Sequence, residues 1–385
     1  MRIFCMICLW VAVSGVSAQQ YKSYRTLCDT TLMSKELGYA RGAEIIVPFN
    51  WQREYPAAYP LLFIFDKQNE RSFRHMLYTI DYLTINDQMP ACIVVGIDAG
   101  EDRNRYLETQ LSTADSNGRM EENERYLLDE LIPYLQENYQ AGDFILLVGH
   151  SRYGYFVTHM LSAYPETINA AIAISPFFRQ KKVQLVDSLM SSKAGTFPRV
   201  QYFCASMGND FQAEMQTIDS AILQKKIAQT NLVIRSANFP QAGHTATPGL
   251  TFGQDLYAIF EYWSESQNSY LNDPGANPIL MEPLMNDNAV HYGADFPFSL
   301  GILNGKGSNY FFEEDYPKAI EVWNYMMQFY PNFSEGWLYI AECKMAVGQN
   351  WDAEREKFLN SISDSEIYSD TEKAELMDYL KELQP

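Results

Sequence analysis

The stretch Phe144-Ile145-Leu146-Leu147-Val148-Gly149-His150-Ser151-Arg152-Tyr153-Gly154 decides how this chain is read. Five consecutive apolar residues, too short a run for a helix, predict a strand buried on both faces. The segment after it, residues 153–164, predicts a helix that stops before Pro165. Between them Gly149-His150-Ser151 forms a tight strand-to-helix turn. Such a turn lifts a serine hydroxyl above the sheet edge and aims the next helix's N-terminus at the reacting oxygen. Ser151 is therefore a candidate nucleophile, and the backbone N–H of Arg152 a candidate oxyanion donor.

Outward from this turn the same grammar repeats. Residues 43–48, 61–65, 91–97, 170–174, 200–205 and 231–234 are short, apolar and bounded by polar or turn residues. Helical stripes fill the gaps, among them residues 121–139, with Tyr126, Leu127, Leu131, Ile132 and Leu135 on one face, and residues 254–263. Strands alternating with helices in this way predict an α/β fold, a mostly parallel sheet covered by helices. After Trp263 the composition turns to Ser, Asn, Asp, Pro and Gly, so residues 264–299 are expected to be a linker. From residue 300 to 385 the pattern is helical. Gly307, Tyr310, Ala319, Trp323 and Pro331 fit one 34-residue tetratricopeptide-like unit, and Trp337, Ala341, Gly348 and Ala353 fit a second, followed by a closing helix.

The 385 residues carry a formal charge of −19, which disfavours nucleic acid and anionic lipid surfaces as partners. Residues 1–18 combine a positive start, an apolar run and a small-residue cleavage site at Ala18, the pattern of a signal peptide, so a secreted or periplasmic protein without a membrane span is expected. The hydrolytic domain then covers residues 19–263. Cys5 and Cys8 would leave with the signal; Cys28, Cys92, Cys204 and Cys343 show no metal-ligand spacing, so no structural zinc is expected, and only Cys28 is a candidate for a disulfide.

A serine nucleophile needs a base, and the chain has five His. His75, His159 and His291 fall where core or surface roles suffice, and His150 points away from the serine beside it. His244, in the loop between the last strand and the last helix of the α/β region, is the candidate base. The order Ser, acid, His then asks for a carboxylate after the preceding strand. Asp210, in Ser206-Met207-Gly208-Asn209-Asp210, supplies it, with Glu214 and Asp219 as the alternative acids.

With these residues in place, residues 42–263 resemble the putative-esterase branch of the α/β-hydrolases, the group related to esterase D, siderophore esterases and feruloyl esterases. The resemblance rests on Tyr59-Pro60-Leu61-Leu62-Phe63-Ile64-Phe65-Asp66, Ile93-Val94-Val95-Gly96-Ile97 followed by Arg103-Asn104-Arg105, Asp129-Glu130-Leu131-Ile132-Pro133-Tyr134, Gly149-His150-Ser151 and the His244 loop. Exported members with a tetratricopeptide-like tail suit the whole chain. The resemblance implies an α/β-hydrolase fold and ester hydrolysis by a Ser-His-Asp triad with no cofactor or metal. It also implies a second oxyanion donor near Lys67 or Gln68, where Phe65-Asp66-Lys67 replaces the family's Leu-Asp-Gly. Arg152, Lys67, Tyr153 and Tyr155 are candidates for lining the pocket. The substrate class is a small-molecule or carbohydrate ester. The rival reading is a non-catalytic hydrolase fold whose helical tail binds a protein partner.

Overall fold

The protein is described here by a computed structural model covering residues 23–383, apart from 52–57, 114–115, 178–184, 229, 277, 364 and 366. The expected signal segment lies outside the described residues. In chain order the strands are β1 (Tyr24–Met33), β2 (Ala40–Pro48), β3 (Tyr59–Phe65), β4 (Ile93–Asp98), the small hairpin β5 (Ser112–Thr113) and β6 (Ser116–Asn117), β7 (Ala141–His150), β8 (Ala170–Ile174), β9 (Gln201–Met207) and β10 (Leu232–Asn238). All but the hairpin form one sheet ordered β1-β2-β4-β3-β7-β8-β9-β10. β2 runs antiparallel to β1 and β4, and every other pairing is parallel. This is the mostly parallel, helix-covered sheet expected from the alternating pattern, in the α/β-hydrolase arrangement that the family resemblance implies.

Both faces of the sheet are covered, which explains the unbroken apolar runs. Leu61, Phe63 and Phe65 of β3 point to the side of helix α5 (Arg152–Ala163), where Phe156 and Leu161 pack. Leu62 and Ile64 point to the other side, against Phe73 and Leu77 of α1 (Glu70–Ile85). Near β4 lies the short α2 (Asp102–Glu108). The stripe over residues 121–139 is one run: α3 (Met120–Arg125), a π-helical stretch Tyr126–Leu131, and α4 (Ile132–Tyr139). Pro133, which has no N–H to give to the preceding turn, follows the widened stretch. β1 is absent from the expected strands because Thr26, Asp29 and Thr31 on its exposed side interrupt any continuous apolar run.

The segment expected as a linker is largely helical. After α6 (Leu185–Ser191) and α7 (Gln212–Ala228), α8 extends over Thr247–Asn272, and α9 (Pro278–Tyr292) follows. The polar residues that resembled turn chemistry are used inside this joint. Ser264 Oγ donates to the Asp87 carbonyl at the end of α1 (3.1 Å), and Gln267 Oε1 accepts from the Ser299 N–H (2.9 Å). The tail then comprises α10 (Leu300–Phe312), α11 (Tyr316–Phe329), α12 (Glu335–Ala346), α13 (Asp352–Ser363) and α14 (Asp370–Glu382). α10 and α11 meet where Gly307 lies under Trp323; a Cβ at 307 would come within 2.4 Å of the indole nitrogen.

α9 and the chain after it brace the end of the sheet where the parallel strands begin. Phe144, near the start of β7, packs against Tyr292 (ring centroids 5.7 Å) and Phe296 (5.3 Å). Ser151 follows the other end of β7, roughly 20 Å away at the usual rise per strand residue. The helical tail and the candidate site therefore occupy opposite ends of the sheet.

Beneath the site, Arg41 of β2 and Glu108 of α2 form a fully buried ion pair at 2.9 Å. The Tyr153 hydroxyl accepts from Arg41 Nη2 (3.0 Å) and donates to Glu108 Oε2 (3.0 Å), while Tyr39 OH donates to Glu108 Oε1. Removing one partner of a buried pair strands the other charge. Glu108→Ala is expected to lower stability by about 3–5 kcal/mol in urea unfolding, whereas Arg41→Met combined with Glu108→Leu should recover only part of that loss, because the buried Tyr153 hydroxyl loses both partners. A cost below about 1 kcal/mol for Glu108→Ala would show that the pair is not held dry.

Candidate active site

β7 ends at His150, α5 begins at Arg152, and Ser151 stands alone between them with φ 59° and ψ −115°. A positive φ is unfavourable for a residue with a Cβ and persists only where the surroundings fix it. Here the Ser151 N–H donates to the Ile174 carbonyl (2.8 Å), and the Ser151 carbonyl accepts from the N–H groups of Phe177 (2.9 Å) and Tyr155 (3.2 Å). Gly149 is required by the same turn, since a Cβ there would lie 2.2 Å from the Tyr153 carbonyl oxygen. The Arg152 N–H is among those a helix leaves without an intrahelical partner at its start.

Asp210 follows the end of β9, and His244 opens a 3₁₀ turn (His244–Ala246) that leads into α8. His244 Nδ1 lies 2.6 Å from Asp210 Oδ2. A carboxylate there accepts the Nδ1 proton, which leaves Nε2 as the basic nitrogen. Among the described residues no hydrogen bond joins His244 to Ser151 Oγ. The two are linked through His150, whose ring centroid lies 4.4 Å from that of His244 and whose Nε2 donates to the His244 carbonyl (3.0 Å). Burial, reinforced by the neighbouring His244, pushes His150 down to about 4, so its ring is neutral near pH 7.

Further hydrogen bonds tie these loops together. The Gly208 N–H donates to Ser175 Oγ (3.3 Å), Ser175 Oγ to Thr247 Oγ1 (3.0 Å), and Thr247 Oγ1 to the same His244 carbonyl (3.2 Å). Sequence reasoning missed Ser175, Thr247 and this use of His150. A serine or threonine at a strand or helix end carries no signal of its partner, because the partner is distant in sequence.

Three expectations about the site surface are corrected. Tyr153 and Tyr155 have no exposed surface and belong to the core rather than to a pocket wall. Tyr153 is held there by the buried Arg41–Glu108 pair and by stacking on Phe65 (4.7 Å). Lys67 extends the β3–β4 ladder by giving its N–H to the Ile97 carbonyl (3.0 Å), so that N–H is not free for an oxyanion. Its ammonium is occupied by Asp29 and by Glu44 (3.4 Å). Asp66 has φ 65° and receives Arg105 in a two-point contact (2.7 and 2.6 Å) together with Gln68 Nε2 (3.0 Å), which fixes the 66–68 loop.

The other candidates lie elsewhere. Asp219 accepts from Ser236 Oγ (2.9 Å), and His159 pairs with Glu124 (2.9 Å). His291 meets the Tyr202 hydroxyl (2.6 Å) and stacks on Tyr262 (3.9 Å). Arg152 is half-buried, with its guanidinium carbon 4.1 Å from the Tyr106 ring centroid and 4.8 Å from that of Phe177. Cys28, Cys92, Cys204 and Cys343 are free thiols.

Comparison with known proteins bears on the family and the fold. The family model described as Putative esterase matches residues 34–235. Among solved structures, the IroE-like serine hydrolase from Shewanella oneidensis superposes with a TM-score of 0.62 at 16% identity, covering 80% of this chain and 99% of that one. An uncharacterised protein from Capnocytophaga ochracea gives 0.57 at 14% identity, covering 92% of this chain and 99% of its own. At these identities the likeness concerns the fold. No curated protein matches the chain. No helix among the described residues is long and apolar enough to cross a membrane. The family model spans more than half of the sequence and includes Ser151 and Asp210, and the chain belongs to the Putative esterase family of carboxylic ester hydrolases.

Proposed function

We propose that this protein is an exported serine esterase that works through an acyl-enzyme on Ser151. The observation that carries the reading is the 2.6 Å contact between His244 Nδ1 and Asp210 Oδ2 beside a serine held at positive φ. His244 Nε2 takes the Ser151 hydroxyl proton as Oγ attacks the ester carbonyl. The C–O bond to the leaving group breaks, and the alkoxide receives that proton from His244. Water, deprotonated by His244, then releases the acid and restores Ser151. Asp210 holds the imidazole tautomer and stabilises the imidazolium. The oxyanion is received by the N–H of Arg152 and, since that of Lys67 is taken, the N–H of Gln68.

Residues 1–18 are read as the cleaved export signal, and the substrate as a small-molecule or carbohydrate ester. The paired tail helices, with Gly307 against Trp323, are read as tetratricopeptide-like units. They would offer a protein partner a surface away from the catalytic end.

Ser151→Ala should lower kcat on 4-nitrophenyl acetate by about 10⁴-fold or more, and Asp210→Asn by about 10⁴-fold, with folding retained. A fluorophosphonate should label wild type at Ser151 by intact mass and peptide mapping. Full hydrolysis by Ser151→Ala would end the assignment. His150→Phe removes the donor to the His244 carbonyl, worth about 1–2 kcal/mol, so kcat should fall roughly 5- to 30-fold while KM holds. His150→Gln, which can donate to the same carbonyl, should recover part of the loss.

The same histidine gives a pH signature. An unfolded histidine titrates near 6.5, and His150 in the folded protein near 4. The unfolded state therefore binds the proton first as pH falls. The stability associated with a neutral His150 is complete above about pH 6.5 and is lost progressively toward pH 4. Urea unfolding of His150→Gln should show a shallower decline across that window than wild type; equal slopes would contradict it.

A further inference from the structure

Among the described residues, Arg41, Lys67 and Arg105 around the candidate site sit in ion pairs. Arg105 is bound by Asp66, Arg41 by Glu108, and Lys67 by Asp29 and Glu44. Arg152, immediately after the nucleophile, makes no ion pair among the described residues, in a chain whose formal charge is −19. Its neighbours are aromatic: the rings of Tyr106 and Phe177 pack on the guanidinium. The Tyr106 hydroxyl also accepts a hydrogen bond from the guanidinium, and the fork's further N–H donors can meet a planar anion. Burial disfavours the charge on Arg152, Tyr106 favours it and the nearby Arg105 opposes it, and a bound carboxylate would offset the burial and the repulsion.

We propose that the Arg152 side chain receives a carboxylate of the substrate, so that the enzyme acts on anionic esters such as monoesters of short dicarboxylic acids. The inference rests on the esterase reading above and deepens it. The guanidinium engages the free carboxylate through its N–H edge while the ester carbonyl lies over Ser151. Hydrolysis then converts the monoester and water into the dicarboxylate and an alcohol, with no other reactant. The backbone N–H of Arg152 serves the oxyanion independently of the side chain, so one residue contributes two separate functions.

The test is a matched pair of substrates, mono-4-nitrophenyl glutarate and neutral 4-nitrophenyl butyrate, read as the ratio of their kcat/KM values. Wild type is expected to favour the glutarate about tenfold or more, less so as sodium chloride is raised. Arg152→Gln should collapse the ratio about tenfold or more, and Arg152→Lys, which keeps the charge without the planar fork, should fall between. The ratio is insensitive to a general loss of activity in the variants, and the wild-type preference is measured without any substitution. A wild-type ratio at or below one, or an unchanged ratio in Arg152→Gln, overturns this inference while leaving the esterase reading intact. Absence of hydrolysis of both esters together with an unlabelled Ser151 overturns both.

Discussion

The candidate site depends on one backbone oxygen. The carbonyl of His244 accepts from the His150 ring on the nucleophile turn and from the Thr247 hydroxyl at the head of α8. Through Thr247 and Ser175 the connection continues to the Gly208 N–H, two residues before Asp210. Three loops that follow different strands are thereby fixed to a common point, each carrying one of the three residues of the proposed triad. The Ser175 links are buried, where an unmet donor or acceptor would be costly, and those to the His244 carbonyl are part-buried.

The turn at Ser151 is constrained from below as well. Tyr153 takes the place of a small residue two positions after Ser151, which would be unfavourable without accommodation for its ring and hydroxyl. The accommodation comes from Phe65, which stacks on the ring, and from Arg41 and Glu108, which satisfy the hydroxyl. α2, which supplies Glu108, also supplies Arg105 and Tyr106, so the floor under the nucleophile and one side of its surroundings are anchored through a single short helix.

Much of this organisation is legible in the sequence. The apolar runs in β3, β4, β7, β8 and β9 are unambiguous because central parallel strands must be apolar on both faces. The chain order Ser, acid, His points to a carboxylate after β9, and the structure selects Asp210 over Glu214 and Asp219 as the partner of His244. What escapes the sequence has two physical causes. β1 is an edge strand with polar outer residues, and Ser264–Asn272 are polar yet lie in a helix, so composition points the wrong way in both. Exposure is the other cause. Tyr153 and Tyr155 sit on the first turn after Ser151, and only their neighbours in three dimensions determine that they face inward. Likewise, nothing local to Lys67 shows that its N–H is already given to Ile97.

α8 begins three residues after His244 and runs 26 residues to Asn272. Phe252, Leu256, Ile259 and Trp263 pack under the sheet, whereas Tyr270 belongs to the core of the tail. One helix of about 39 Å is thus shared by two cores. This gives the enzyme a fixed polarity. Anything held by the helical tail would lie at the far end of the sheet from Ser151, so a partner bound there leaves the proposed site clear.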